Sequence, residues 1–297
     1  MIKNLELMYD EMCILGFEGL SEKCKIDPSF IFGRDDEGNT LLHFAAFDGN
    51  MDAVNQLMLL GACPFIYNAL GMTPLSNAAG CNNVSALEFL LKRSHAGIVD
   101  FDKAIMMAIA ASKGKFENLE LMLNEGFDCN TSYREDPIIF WAMQSASIDV
   151  VQLLCEHGAS INAANTEGMT LLYDASANGL VDIAEYLLGL GACIDKSSKN
   201  GSTPIIIASC YNQIDIAKTL ILHKCDINKK CNDGVTALLY AIGYGYVELV
   251  QLLLDNGADK DATDKMNRGA KAYCKRIKSK LKRNRMEEAL RKYNVPI

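Results

Sequence analysis

GNTLLHFAA, at residues 38–46, is the stretch that decides the fold, because close variants of it recur along the chain. Residues 71–79 read GMTPLSNAA, and residues 201–208 read GSTPIIIA. The glycines that open such stretches lie 33 residues apart in two series, Gly38 and Gly71, then Gly168, Gly201 and Gly234. Repetition at this interval predicts a repeat protein, in which each copy is one small structural unit that stacks on the next.

Each copy predicts two helices joined by turns. The threonine of the stretch, such as Thr203, can cap the first helix by accepting a backbone N–H, and the proline after it suits the first helical turn. The second helix has apolar residues at i, i+3 and i+4, as in Val54, Leu57 and Met58. A glycine such as Gly191 ends it in a left-handed conformation that costs glycine little. The hairpin that carries the opening glycine of the next copy is called the finger.

The 33-residue period and the T-P-L-H-x-A-A text resemble the ankyrin repeat over residues 34–263. The resemblance implies an all-α ankyrin-repeat solenoid of about seven helix-turn-helix units with hairpin fingers. The flanking segments are then expected to be an N-terminal helical cap at residues 1–33 and a basic C-terminal helical cap or tail at residues 264–297.

Both caps lack the repeated text but predict helices. In the N-terminal cap we expect helices from Leu5 to Leu15 and from Phe17 to Lys25. In the C-terminal cap, residues 269–293 predict a degraded last repeat. Its two expected apolar faces are Ala270, Tyr273, Ile277 and Leu281, then Met286, Ala289, Leu290 and Tyr293.

The third and fourth repeats depart from the pattern. Residues 103–108 read KAIMMA and residues 135–142 read EDPIIFWA where the T-P-L-H text is expected, and residues 94–101 hold no glycine at the finger position. Two explanations stay open. One is drift within a tolerant solenoid, and the other is a specialised contact surface in the middle of the array.

Composition is that of a folded and acidic body with a basic end. Of the 297 residues, 49% are hydrophobic and 22% are charged, a balance that excludes a disordered chain. Residues 260–297 hold 13 Lys and Arg against 4 Asp and Glu, whereas residues 1–259 hold 16 against 33. The 11 cysteines form no CxxC pair, and no apolar leader or membrane-length segment is present. We therefore expect free thiols and a cytoplasmic location.

No motif for catalysis, cofactor binding or metal binding occurs, so we expect a protein that is not an enzyme and holds no cofactor or metal. HExxH, Walker-type and GxSxG sequences are missing. His43 stands in the T-P-L-H position, where the resemblance implies a bond between neighbouring loops. His157 and His223 stand at the end of second helices, where a cation suits the helix dipole.

Candidate partner-binding residues follow from the register of the resembled family, whose partners meet the fingers and the exposed side of the first helices on a concave strip. The positions implied here are Asp36, Glu37, Phe47, Asp48, Tyr133, Arg134, Glu167, Tyr211, Asp233 and Tyr244. Tyr211 and Tyr244 share one position in adjacent repeats, and exposed aromatic residues anchor interfaces. Partial burial against the next repeat is the alternative for both. Acidic residues outnumber basic ones along the strip, so the expected partner is a protein with a basic or mixed surface.

The expected function is that of a monomeric, non-enzymatic scaffold or adaptor for protein–protein interaction. The alternative is a secreted bacterial ankyrin effector that binds a host protein in the host cytosol. The basic run at residues 271–285 allows contact with nucleic acid or an anionic membrane, but a solvated face of a capping helix explains it equally.

Overall fold

The computed structural model describes residues 5–6, 9–10, 13, 29–94 and 97–297. It divides into two compact units, an N-terminal unit of Met1–Ala159 and a C-terminal unit of Ser160–Ile297. Most of the first helix expected in the N-terminal cap, and all of the second, lie outside the described residues. The described positions between residues 5 and 13 are helical.

The N-terminal unit contains nine described helices and one short hairpin. In chain order these elements are α1 Ser29–Phe32, α2 Leu41–Asp48, α3 Met51–Leu59, α4 Pro74–Ala79, α5 Val84–Ser94, α6 Asp100–Ser112, α7 Phe116–Asn124, β1 Ser132–Tyr133, β2 Asp136–Pro137, α8 Ile138–Ser145 and α9 Ile148–Glu156. First helices pack side by side in the order α2, α4, α6 and α8, and second helices pack in a parallel layer. The core therefore lies between the two layers.

The C-terminal unit repeats the same arrangement with eight helices. They are α10 Leu171–Asn178, α11 Val181–Gly189, α12 Pro204–Cys210, α13 Ile214–Leu222, α14 Ala237–Tyr244, α15 Val247–Asp255, α16 Ala270–Cys274 and α17 Lys280–Lys292. Helices α10, α12, α14 and α16 form one layer and α11, α13 and α15 the other, with α17 packed on α15. The prediction of an all-α repeat solenoid is confirmed.

Threonine occupies the N-cap of the first helix in every repeat that carries the recurrent text. Thr73 Oγ1 accepts the Ser76 N–H at 3.1 Å, and Thr236 Oγ1 accepts the Leu239 N–H at 3.3 Å. These threonines are buried, so each cap also removes an orphan donor from the core. The predicted capping role is confirmed at Thr73, Thr170 and Thr236. It is wrong at Thr203, which occupies the N-cap but makes no side-chain cap, and whose buried Oγ1 has no hydrogen-bond partner among the described residues.

Fingers turn through one residue in the left-handed region. At Gly234, φ is 80°, and an added Cβ would lie 2.8 Å from the Lys265 backbone nitrogen, so glycine is required there. Glu135 takes the equivalent place in the fourth repeat with φ of 68°, and Asn267 does so in the last repeat with φ of 56°. A glutamate in this conformation carries backbone strain.

The third repeat has no finger, because its first helix starts early. Helix α6 begins at Asp100 and runs for 13 residues, against 8 in α2. Asp102 lies in its first turn with its side chain buried, and it accepts the Tyr67 hydroxyl at 2.9 Å. A helical turn tied to the preceding finger thus replaces the hairpin.

The fourth repeat keeps its finger without a glycine. Strands β1 and β2 pair antiparallel, with Tyr133 opposite Asp136, and the two residues between them have positive φ. Two such residues in a two-residue loop form a type I′ turn, which matches the twist of paired strands. The departure from the repeated text therefore changes the turn and preserves the architecture.

The C-terminal cap has the form of a further repeat, with a finger at residues 264–269 followed by α16 and α17. Ala270, Tyr273 and Ile277 are buried as expected. The prediction for Leu281 is wrong, because its side chain is 63% exposed. It lies in the first turn of α17, which begins at Lys280 and presents that turn to solvent.

Candidate partner-binding surfaces

Four of the predicted contact residues lie together in the first repeat. Asp36 and Glu37 precede the finger glycine and are exposed, while Phe47 and Asp48 end helix α2. The Phe47 side chain is 56% exposed. This repeat therefore presents an aromatic ring beside carboxylates, as the register predicts.

A cavity of about 400 Å³ opens at Phe47 and is called the acidic cleft. It is lined by Glu6, Tyr9, Asp10, Glu37, Asn39, His43, Phe44, Phe47, Asp48, Asn68, Leu70, Met72, Asn77, Ile109 and Lys113. The lining holds four carboxylates and one lysine, whose Nζ lies 5.1 Å from the centre of the Phe47 ring. The cleft thus combines acidic and apolar side chains.

His43 connects two neighbouring loops at the acidic cleft through hydrogen bonds. Its Nδ1 accepts the Thr40 backbone N–H at 2.9 Å, and its Nε2 lies 3.1 Å from the Met72 carbonyl oxygen in the next finger. Burial lowers the pKa of His43 below its ordinary value, so the ring is neutral and Nε2–H donates to Met72. The bond between neighbouring loops that the resemblance implies is present.

Tyr133 and Arg134, the candidates in the fourth repeat, belong to an aromatic cluster. The half-buried ring of Tyr133 lies 5.3 Å from Trp141 and 6.4 Å from Phe101, centre to centre, and Trp141 Nε1 donates to the Tyr133 carbonyl at 3.3 Å. The Arg134 guanidinium lies 5.2 Å from the Tyr133 ring. Phe101, which sequence reasoning missed, is the most exposed ring of the cluster at 60%.

Glu167 and Asp233, the acidic candidates of the C-terminal unit, lie exposed on its fingers. Their backbone carbonyls also join the fingers: Glu167 accepts the Lys199 N–H, and Asp233 accepts the Lys265 N–H, both at 2.9 Å. Backbone bonding fixes each finger against the next, so the two carboxylates project from an ordered edge.

The two tyrosines at the shared register position are both exposed, Tyr211 to 61% and Tyr244 to 55%. Exposure above one half argues against the alternative of burial beneath the next repeat. Tyr244 is nevertheless ordered by its neighbours, because its ring stacks with Tyr240 at 6.4 Å and with Tyr246 at 5.7 Å.

A cavity of about 520 Å³ opens beside Tyr244 and is called the basic cleft. It is lined by Tyr240, Gly243, Tyr244, Tyr273, Arg276, Ile277, Lys278, Ser279 and Lys282. The lining contains three cations and no carboxylate. Sequence reasoning placed Tyr244 on an acidic strip and the cations in a separate tail, whereas the structure brings them together.

Most of the described cysteines are partly or fully buried, whereas Cys13 and Cys193 are exposed. The ten described cysteines are free, and Cys225 and Cys231 form no disulfide. Burial raises the pKa of the Cys155 thiol to about 11 and those of Cys210 and Cys225 to about 12. Because the thiolate is the nucleophile, these three thiols are unreactive at neutral pH.

Within the part of the chain that the structure describes, no group of three or more His, Cys, Asp and Glu side chains is placed to hold a metal ion. Nor does any helix there have the length and apolar character needed to cross a membrane.

Comparison with known proteins matches the repeat architecture to a family. The profile described as "Ankyrin repeats (3 copies)" matches residues 20–103, 105–198 and 190–264. The chain is 31% identical over 149 residues to the B-cell lymphoma 3 protein homolog of Mus musculus, which covers 48% of this chain and 33% of that protein. It is 29% identical over 143 residues to Interferon antagonist OPG040 of Vaccinia virus (strain Western Reserve), covering 46% of this chain and 49% of that protein.

The matched regions span a third of the mouse protein and about half of the viral one, so the likeness concerns the repeats rather than whole proteins. The three profile matches together extend over most of the sequence and coincide with the finger and helix pattern described above. The chain belongs to the ankyrin-repeat family.

Proposed function

We propose that this chain is a non-catalytic, cytoplasmic adaptor, monomeric by itself, that binds a partner protein through its fingers and first helices. The acidic cleft is the principal contact in this proposal, and it takes a basic or mixed segment of the partner. Membership of the ankyrin-repeat family supports a role in protein–protein interaction.

The observation that carries the proposal is the exposed Phe47 ring among carboxylates. An aromatic side chain that stays 56% exposed in the folded chain can bury apolar area when a partner docks. Glu37, Asp48, Glu6 and Asp10 line the same cavity as the ring. A partner lysine or arginine would satisfy both features, because its stem is apolar and its head is cationic.

The other register positions extend the contact in each unit. Arg134 and the Phe101–Tyr133–Trp141 cluster serve the N-terminal unit, and Tyr211 with the finger carboxylates serves the C-terminal unit. Exposed carboxylates on the fingers also raise the rate at which a basic partner arrives.

A host-directed effector is the second candidate. Its support is the likeness of 143 residues to an interferon antagonist of vaccinia virus. The acidic cleft would serve that role in the same way, with a host protein as the partner.

A random 16-residue peptide library displayed on phage tests the proposal. Peptides selected on the wild-type chain and lost on the variant Phe47→Ala/Asp48→Lys are expected to place Lys or Arg beside an apolar residue. Affinity for the variant should fall about tenfold or more, since both an anchor and a charge are lost.

Leu222→Ala is the matched control, because Leu222 is an exposed apolar side chain at the end of a second helix. It should leave the selected peptides bound. If the double variant retains them, or if the peptides lost on it are acidic, the acidic cleft is not the contact.

A further inference from the structure

The backbone that forms the basic cleft is ordered by hydrogen bonds, although it lies in the last turn and helix of the C-terminal unit. The turn between α16 and α17 is pinned by Arg283, whose Nε and Nη2 donate to the Ile277 carbonyl at 3.1 and 2.7 Å. Ser279 Oγ then accepts the Lys282 N–H at 3.4 Å and caps α17. These bonds fix the backbone that carries Lys278 and Lys282, so both lysines are held at the rim.

The cations of this cleft are not held in ion pairs, although Lys282 also lines a neighbouring cavity with Glu248 and Glu288. Arg276, Lys278 and Lys282 form no ion pair with any described residue. Asp264, the nearby buried carboxylate, is already engaged by Arg268 Nε at 2.7 Å and by the Tyr273 hydroxyl at 3.0 Å. Like charges concentrated around a cavity repel one another until an anion binds among them.

The wall of the cleft is apolar. Tyr244 contributes an exposed ring, and Ile277 a side chain buried at the base. Gly243 keeps the wall open, since an added Cβ would lie 3.1 Å from the Tyr273 ring. A volume of about 520 Å³ falls within the range of ligand pockets, about 300–1,000 Å³.

Aromatic rings beside cations also suggest a single-stranded nucleic acid, but the ring faces argue against stacked bases. Base stacking needs an open aromatic face. Tyr244 is stacked with Tyr240 and Tyr246, and the Arg276 guanidinium lies 4.1 Å from the centre of the Tyr273 ring. Tyr273 is buried and Tyr244 has aromatic neighbours, so little open ring face is left for a base. The exposed part of Tyr244 beside Ile277 suits an apolar side chain.

We propose that the basic cleft binds an acidic segment of a partner protein. An apolar side chain of the segment packs against Tyr244 and Ile277, while neighbouring aspartate or glutamate carboxylates pair with Arg276, Lys278 and Lys282. This is a second docking site, opposite in charge preference to the acidic cleft and independent of it.

Fluorescence anisotropy with the full chain tests the proposal. The probe is a labelled 12-residue peptide with two glutamates on each side of a leucine, compared with the same peptide carrying glutamines. The glutamate peptide should bind about tenfold tighter than the glutamine peptide. Lys278→Glu/Lys282→Glu should weaken it about tenfold or more, and Tyr244→Ala about fivefold, because charge pairing and the apolar contact are lost separately.

The matched control is Lys275→Glu/Lys280→Glu, which makes the same change of net charge in the same cap but outside the cleft lining. It should change the affinity less than about twofold, allowing for screening in buffer. The variant Phe47→Ala/Asp48→Lys should bind the acidic peptide as the wild type does, which separates this site from the proposed function. Lys278→Gln/Lys282→Gln replaces the reversal variant if that chain fails to fold.

Three results would overturn the proposal. Equal losses in the cleft and control variants would mean general attraction to a basic tail. Tighter binding of a 12-nucleotide single-stranded RNA, lost in Lys278→Glu/Lys282→Glu, would assign the cleft to nucleic acid. Self-association of the wild type in sedimentation, abolished by the same variant, would assign it to a second copy of the chain.

Discussion

The acidic cleft and the basic cleft use the same positions of the repeat and carry opposite charge. Phe47 and Asp48 stand nine and ten residues after their finger glycine, and Gly243 and Tyr244 stand nine and ten after theirs. In the N-terminal unit these positions hold the aromatic ring of Phe47 and the carboxylate of Asp48. In the C-terminal unit they hold Gly243, which has no side chain, and the aromatic ring of Tyr244. The backbone provides a place for contact, and the side chains decide its chemistry.

Neighbouring side chains add to the difference in charge between the two clefts. The acidic cleft receives one lysine, Lys113, from a later first helix, whereas the basic cleft receives its cations from the pinned turn and α17. Each cleft also depends on a different buried polar group, His43 in one and Asp264 in the other. This dependence makes the two clefts separable by experiment.

Asp264→Ala should have the largest effect of the variants considered, because it should destabilise the C-terminal unit that forms the basic cleft. The Asp264 carboxylate accepts the backbone N–H groups of Met266 and Arg268, the Arg268 Nε–H and the Tyr273 hydroxyl. Loss of these bonds in a buried finger should cost about 3 kcal/mol of unfolding free energy in the C-terminal unit. Urea unfolding followed by circular dichroism measures it, and binding of basic peptides at the acidic cleft should be unchanged.

Exposed Asp261 provides the control, since Asp261→Ala should cost less than about 0.5 kcal/mol. Burial alone would raise the pKa of Asp264, but the hydrogen bonds from Arg268 and Tyr273 outweigh it and lower the pKa to about 2. A depressed folded pKa stabilises the fold above the ordinary value of about 4, and this contribution is lost as pH falls from about 4 to about 2. Equal unfolding free energies for Asp264→Ala and the wild type would remove the basis for treating the clefts as separately supported.

Glu135→Gly should stabilise the N-terminal unit by about 0.5–1 kcal/mol, because glycine relieves the left-handed strain at φ of 68° while adding some entropy to the unfolded chain. Lys224→Gly, with φ of 67°, should do the same in the C-terminal unit. The urea midpoint of each variant measures the change.

Glu167→Gly is the counterpart without positive φ, and it should lower stability by about 0.5 kcal/mol because only the entropic cost remains. A lower midpoint for Glu135→Gly would mean that the glutamate side chain, rather than the turn, holds the fourth finger.

His43 should give the N-terminal unit a modest sensitivity to pH that the C-terminal unit lacks. Its equivalents there are Tyr173, Ile206 and Leu239. Because burial lowers the pKa of His43 in the fold, the unfolded chain takes up the proton first, and stability falls as pH drops through about 6.5. Urea midpoints measured across that range should fall more steeply for the wild type than for His43→Gln, and parallel curves would count against a neutral buried ring.

Much of the fold could be predicted from the sequence because the same helix and turn signals recur in several repeats. Most threonine caps, the glycine fingers and the shared position of Tyr211 and Tyr244 follow from one register, whereas the register left the exposure of the two tyrosines open. Features that occur once could not be read in the same way. The early start of α6 depends on the contact between Asp102 and Tyr67, which no periodic signal indicates.

The basic cleft was missed for a related reason. Arg276 and Lys278 lie in the turn after α16 and Lys282 lies in α17, where the repeated text has ended. Their position depends on the bond from Arg283 to Ile277. The same local geometry exposes Leu281, which the apolar spacing placed in the core. In contrast, Glu37, Phe47 and Asp48 lie within the repeats, so this part of the acidic cleft follows from the register. Glu6 and Asp10 lie before the repeats, and the register does not indicate them.

The backbone bonds between fingers have a mechanical consequence. In the C-terminal unit, Lys199 bonds to Glu167, Asn232 to Asn200 and Lys265 to Asp233, and every such bond joins only adjacent repeats. We expect such a unit under tension to unfold repeat by repeat, because each repeat is held only by its neighbours. Its force–extension curve should then rise in separate steps rather than in one.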